Sequence, residues 1–137
     1  MLNISINSFS FIYGTIPMEP NNGGGYVFDC RALPNPGRYD EYKSLTGKDE
    51  PVITYLEKEE EVHQFLDHVF ALVDQSVEVY TKRGFTNLML SFGCTGGQHR
   101  SVYSAEKLAK HLAQKFENIN INIRHIAREE AENQKKN

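Results

Sequence analysis

Apolar and polar residues alternate from the start of the chain, with Leu2, Ile4 and Ile6 separated by Asn3, Ser5 and Asn7. A period of two is the pattern of a half-buried strand, and Ser8-Phe9-Ser10-Phe11 prolongs it. Pro17, Pro20 and the run Asn21-Asn22-Gly23-Gly24-Gly25 cannot hold regular structure at low entropic cost, so a loop follows. Tyr26 to Arg31 is aromatic and β-branched and predicts a short second strand. It is closed by Leu33-Pro34-Asn35-Pro36-Gly37, where two prolines remove ladder donors. Residues 38–50 are polar and turn-rich, and Pro51 suits the first turn of a short helix through Leu56.

From about Glu59 the period changes. Val62, Phe65, Leu66, Val69, Leu72, Val73, Val77 and Tyr80 recur at three- and four-residue spacing, the stripe of an amphipathic helix. Glutamates 57, 59, 60 and 61 crowd its first turn and Lys82 and Arg83 its last, as the helix dipole favours, and Gly84 suits a left-handed residue past the end. Leu88 to Gly93 is nearly all apolar, as expected of a strand covered on both faces. A second helix follows residue 101, with Val102, Ala105, Leu108, Ala109, Leu112 and Phe116 inward. Ile119-Asn120-Ile121-Asn122-Ile123 alternates as a last strand. Residues 129–137 have almost nothing apolar to bury and read as a polar, flexible tail, frayed or helical only in part.

The expected architecture is therefore α/β, a single domain over residues 1–128. It has a small mixed or mostly parallel sheet of about four strands flanked by two main helices, and its final strand–helix–strand unit is parallel and right-handed. A chain of 137 residues with 39% apolar side chains closes one modest core. No apolar run is long enough for a membrane span or a signal-peptide core, so the chain reads as cytoplasmic with no membrane partner. Cys30 and Cys94 read as free thiols.

A net charge of −3 excludes a protein that coats nucleic acid by charge alone. The charge is unevenly placed, however. Residues 1–97 carry 7 Lys and Arg against 13 Asp and Glu, whereas residues 98–128 carry 6 against 2. Arg100, Lys107, Lys110, Arg124 and Arg128 in that segment are the candidates for RNA phosphate contacts.

The cationic segment opens on the most unusual sequence in the chain. A buried strand running through glycines into a helix N-terminus converges unpaired amides on one spot, a ready phosphate site. Gly96 and Gly97 permit the backbone nest, Thr95 and Ser101 add hydroxyls, and Arg100 can pair with two phosphate oxygens. No G-x-x-x-x-G-K-[ST] loop is present, so nucleoside triphosphate chemistry is unsupported. Cys94 to Arg100 does fit C-x5-R, similar to the phosphate loop of cysteine-dependent phosphatases, with Asp29 as the candidate general acid. Gly93 stands where those enzymes place a histidine. Asp29 is also two residues from Arg31, and pairing with it is the other use of that carboxylate.

A longer set of motifs resembles one family. Gly93 to Val102 (GCTGGQHRSV), Val27 to Pro36 (VFDCRALPNP) and Leu45 to Val52 (LTGKDEPV) together look like the C-terminal domain of the RNase adapter RapZ, over about residues 8 to 126. The resemblance implies a non-catalytic sensor of an amino-sugar phosphate such as glucosamine-6-phosphate, with regulatory small-RNA binding and homo-oligomer assembly. It implies no cofactor for this domain. The family's N-terminal ATP-binding half is absent from this sequence, so nucleotide binding is not expected of this chain, and a separate ATP-binding partner chain is one alternative for supplying it. Carried onto this sequence, Asp29 would face sugar hydroxyls or the amino group. Thr95, Gly96, Gly97, Gln98, His99, Arg100 and Ser101 would hold the phosphate, with Cys94 a small residue lining the turn. The chain departs from the family at Gly37, where a histidine is usual, at Ser10 and Ile12, where glycine and lysine are, and at Ile126, where a further arginine is common. A tail mixing Glu129, Glu130 and Glu132 with Lys135 and Lys136 lowers the expected RNA affinity.

Overall fold

The N-terminal alternation forms the strand around which the rest is arranged. In a computed structural model describing residues 1–136, β1 (Leu2–Ser10) lies between β3 (Asn87–Cys94) and β4 (Ile119–His125), and β2 (Tyr26–Asp29) flanks β3. All pairings are parallel, so the sheet order is β2-β3-β1-β4 with no antiparallel member. Consecutive parallel strands need crossovers, and helices supply two of them. Between β2 and β3 run α1 (Glu50–Glu57) and α2 (Glu60–Lys82); between β3 and β4 runs α3 (Arg100–Lys115). The last strand–helix–strand unit is parallel as expected, with β1 lying between its two strands.

One face of the sheet presents Leu2, Ile4, Ile6, Leu88, Leu90 and Phe92, all buried, to Val62, Val69 and Val73 of α2 and Ala105, Leu108 and Leu112 of α3. Each fully buried Val, Leu or Ile contributes about 1.5–3 kcal/mol, so this layer carries the stability. By strand alternation the opposite face carries Asn3, Ser5 and Asn7, in register with Asn87, Met89 and Ser91 of β3 and with Asn120, Asn122 and Arg124 of β4.

Helix ends follow their local signals. The α2 terminus is a Schellman motif: the Phe85 amide donates to the Tyr80 carbonyl at 2.9 Å and the Gly84 amide to that of Thr81 at 3.2 Å. Gly84 takes φ of 72° there, and the Tyr80 and Phe85 rings meet edge to face at 5.0 Å. Across the helical layer, Asp74 of α2 accepts from His111 Nε2 at 2.8 Å and Lys115 Nζ at 2.7 Å of α3, and the Phe70 ring stacks on His111.

The chain from Ile126 to Lys136 is a fourth helix, α4, over the segment where the polar tail is expected. Arg124, at the end of β4, donates to Glu129 at 2.7 Å and ties its first turn to the sheet. Asn137 lies outside the described residues. Among those residues, no helix is long and apolar enough to cross a membrane, and both cysteines are free and buried.

Candidate functional site

The C-terminal ends of β2 and β3, the N-terminus of α3 and the irregular segment 35–47 meet at one cleft of about 260 Å³. Open α/β sheets place ligands at this end of their strands. β3 delivers Cys94 and the turn through Gly96 and Gly97 into α3. Gly97 has φ of 66°, and a side chain there would meet the Ala127 Cβ at 2.6 Å and the Phe9 backbone at 2.9 Å. Only glycine lets the turn lie this flat against β1 and α4. No backbone amide from Gly96 to His99 donates within the protein among the described residues, so these donors remain for a ligand.

Arg100 lies at the foot of this nest and is 5% exposed. Its Nη1 donates to the carbonyls of Arg31 at 2.9 Å and Leu33 at 3.1 Å, holding the segment after β2, and its Nη2 reaches Thr95 Oγ1 at 3.4 Å. Its Nε is buried without an acceptor, and it forms no ion pair among the described residues. A buried guanidinium with an unpartnered donor and no carboxylate against it leaves its charge uncompensated among the described residues.

Other predicted residues have structural partners. Gln98 Nε2 donates to the carbonyls of Lys43 and Leu45, both at 2.7 Å, and His99 Nε2 donates to that of Tyr42 at 2.8 Å. These two side chains therefore hold the 42–45 segment over the cleft. Burial pulls the His99 pKa below its ordinary value, outweighing the opposite pull of its carbonyl partners. The neutral ring then has Nδ1 as an acceptor, and Nδ1 lies beside Gly37. Cys94 donates from Sγ to Ser101 Oγ at 3.1 Å, and Ser101 is fully buried.

Asp29 is not among the residues lining the cleft. Its carboxylate accepts from the Arg31 backbone amide at 2.9 Å, from its Nε at 2.9 and 3.0 Å and from its Nη2 at 2.7 Å, and the Arg31 guanidinium lies 4.0 Å over the Phe11 ring. The Arg31 hydrogen bond is the main reason its pKa is held below the carboxylate range, with a weaker pull from Arg100. Cys94, Thr95, Gly96, Gln98, His99 and Arg100 are brought together; Gly97 and Ser101 support the turn from behind. Gly37, the family's histidine position, lines the cleft, and sequence reasoning missed Asn35 and Lys43 as lining residues. The Asn-Pro-Gly turn was a visible signal, since Asn35 caps the Gly37 amide at 2.9 Å, whereas nothing local marks Lys43.

The RNA candidates divide between surfaces. Lys107 and Lys110 lie on α3, and Lys107 is paired with Glu57 at 3.1 Å. Arg124 lies on the opposite face of the sheet and is paired with Glu129, and Arg128 belongs to α4.

The family model of the RapZ C-terminal domain matches residues 2–128. The chain belongs to that family. Among similar curated proteins, one from Glaesserella parasuis, named a nucleotide-binding protein, is 41% identical over 128 residues, covering 93% of this chain and 42% of its own length. A nucleotide-binding protein of Listeria monocytogenes is 42% identical over 117 residues, covering 85% of this chain and 38% of its own. The chain thus spans about two-fifths of these relatives. Their names carry no catalytic activity.

Proposed function

We propose that this RapZ-family domain is a non-catalytic receptor for a small phosphorylated metabolite. The phosphate would be bound by the amides of the 96–99 turn, Thr95 and Arg100; Lys43, which also lines the cleft, is paired with Asp40 at 2.8 Å. The observation that carries this reading is Arg100: nearly fully buried, with a free Nε, no anionic partner and a cleft in front of it. An amino-sugar phosphate such as glucosamine-6-phosphate is the ligand the family resemblance favours. Its ammonium would need a carboxylate, and Asp29 can serve only by exchanging Arg31 for the ligand.

The competing reading, a phosphatase using Cys94, is less well supported. The thiol donates to Ser101 and Arg100 turns one nitrogen to backbone carbonyls, while Asp29 is held by Arg31. RNA contact is a secondary role that Lys110 and Arg128, free of ion pairs among the described residues, would serve.

An amide chemical-shift titration with glucosamine-6-phosphate, glucose-6-phosphate and inorganic phosphate tests the proposal. Saturable shifts over Gly96 to Arg100 with all three are expected, and glucosamine-6-phosphate should also move Asp29 and Arg31. No shift in the turn with any of them would refute the receptor reading; turnover of an aryl phosphate lost in Cys94→Ser would replace it with the phosphatase.

A further inference from the structure

The sheet face opposite α1, α2 and α3 has no part in the site above. All-parallel sheets are usually covered on both faces. Here the 11–25 loop and the start of α4 overhang the second face and leave a cleft of about 690 Å³, within the ~300–1,000 Å³ range of small-ligand sites. It shares no lining residue with the anion cleft. Strand register sets its floor: Ser5 stands between Met89 and Asn122, and Asn7 between Ser91 and Arg124. Met18 overhangs it from the loop, and Tyr26 and Tyr80 stand at its edge.

Asparagine is depleted in strands, yet Asn3, Asn7, Asn87, Asn120 and Asn122 occupy this one face. Such agreement on a residue that local propensity disfavours points to a use for the side chains. Asn3 and Asn120 bond to each other at 3.1 Å. Asn7, 6% exposed, reaches Ser91 Oγ only at 3.4 Å, and its carbonyl oxygen accepts nothing among the described residues. Ser5 and Asn122 make no side-chain hydrogen bond among those residues either.

The charged groups of the cleft are already engaged: Arg124 with Glu129 at 2.7 Å, and Glu19 with the Asn21 amide at 3.1 Å. What remains is neutral groups that both donate and accept, beside apolar surface on Met18, Tyr26 and Tyr80. Vicinal hydroxyls match paired amide and hydroxyl groups, and the C–H face of a sugar ring matches the apolar surface. We propose that this cleft is a second ligand site, taking a neutral, hydroxyl-rich molecule of the mono- or disaccharide class, independent of the anion nest.

The test is a chemical-shift titration of the full chain with glucose and cellobiose, with inorganic phosphate as control. Saturable shifts at Ser5, Asn7 and Asn122, including the side-chain amides, are expected with at least one sugar and not with phosphate. Asn122→Leu and, separately, Ser5→Leu should each weaken binding about tenfold, as loss of a hydrogen-bonding group does. Neither should alter phosphate-induced shifts at Gly96 and Gly97, which also reports that the variant is folded. Absence of any shift with both sugars overturns the proposal. So do shifts on this face that follow protein concentration instead of sugar, which would mean that a second copy covers it.

Discussion

Arg100 combines two tasks that can be separated by substitution. Its Nη1 holds the Arg31 and Leu33 carbonyls, Nη2 reaches Thr95 Oγ1 in the 94–99 turn, and Nε is buried without a partner. Arg100→Met should cost about 1–3 kcal/mol of stability by leaving buried carbonyls without donors, and should abolish phosphate binding. Arg100→Lys keeps the charge but not the fork, so urea denaturation should show a smaller loss while phosphate affinity still falls at least about tenfold. His99 makes the pH dependence readable. Its pKa is lowered by burial, so the unfolded chain takes up the proton first. The stability it contributes is full above about pH 6.5 and is lost as pH falls below that value. Urea midpoints should drop between pH 7.5 and 5.5, and His99→Gln should flatten that drop; Asp29 and Glu129, whose pKa values are lowered, lose their contribution only in the more acidic carboxylate range.

Elements were the most legible level of this chain. The stripe from Val62 to Tyr80 becomes α2, and Gly84 takes the left-handed position that its place after Lys82 and Arg83 predicts. Nothing lies within 4 Å of a side chain built there, so Gly84→Ala tests backbone strain alone. A loss of about 1–2 kcal/mol by urea denaturation is expected, and no loss would mean that the cap tolerates another conformation. The 94–101 turn was legible for the same reason: strand, glycines and helix start are local signals. What each side chain does there was not, because Gln98 and His99 bond to carbonyls more than fifty residues away and Asp29 pairs locally with Arg31. The α4 helix was the least visible element, since its apolar content is low and its tie to Glu129 comes from Arg124 in β4.

Over the whole molecule, the locally cationic stretch 98–128 does not become one cationic surface. A chain crossing from α3 to β4 deposits Lys107 and Lys110 on one side of the sheet and Arg124 on the other, Arg100 is buried, and Glu57 and Glu129 pair two of the five candidates. Any RNA binding should therefore engage few phosphates, with a log–log salt slope no steeper than about −2, the value for two to three contacts on a single strand. A slope near −5 in a filter-binding series would show that the cations act together after all. By itself the sequence determined the class of fold, the strand and helix order and the glycine turn that leads from a buried strand into a helix, because periodicity, caps and glycines act over a few residues. Tertiary structure alone decided that β1 lies between β3 and β4, that Lys43 and Arg100 line the same cleft, and that the asparagines of three strands share one open face. Those are consequences of pairing and register between distant segments, which no local pattern encodes.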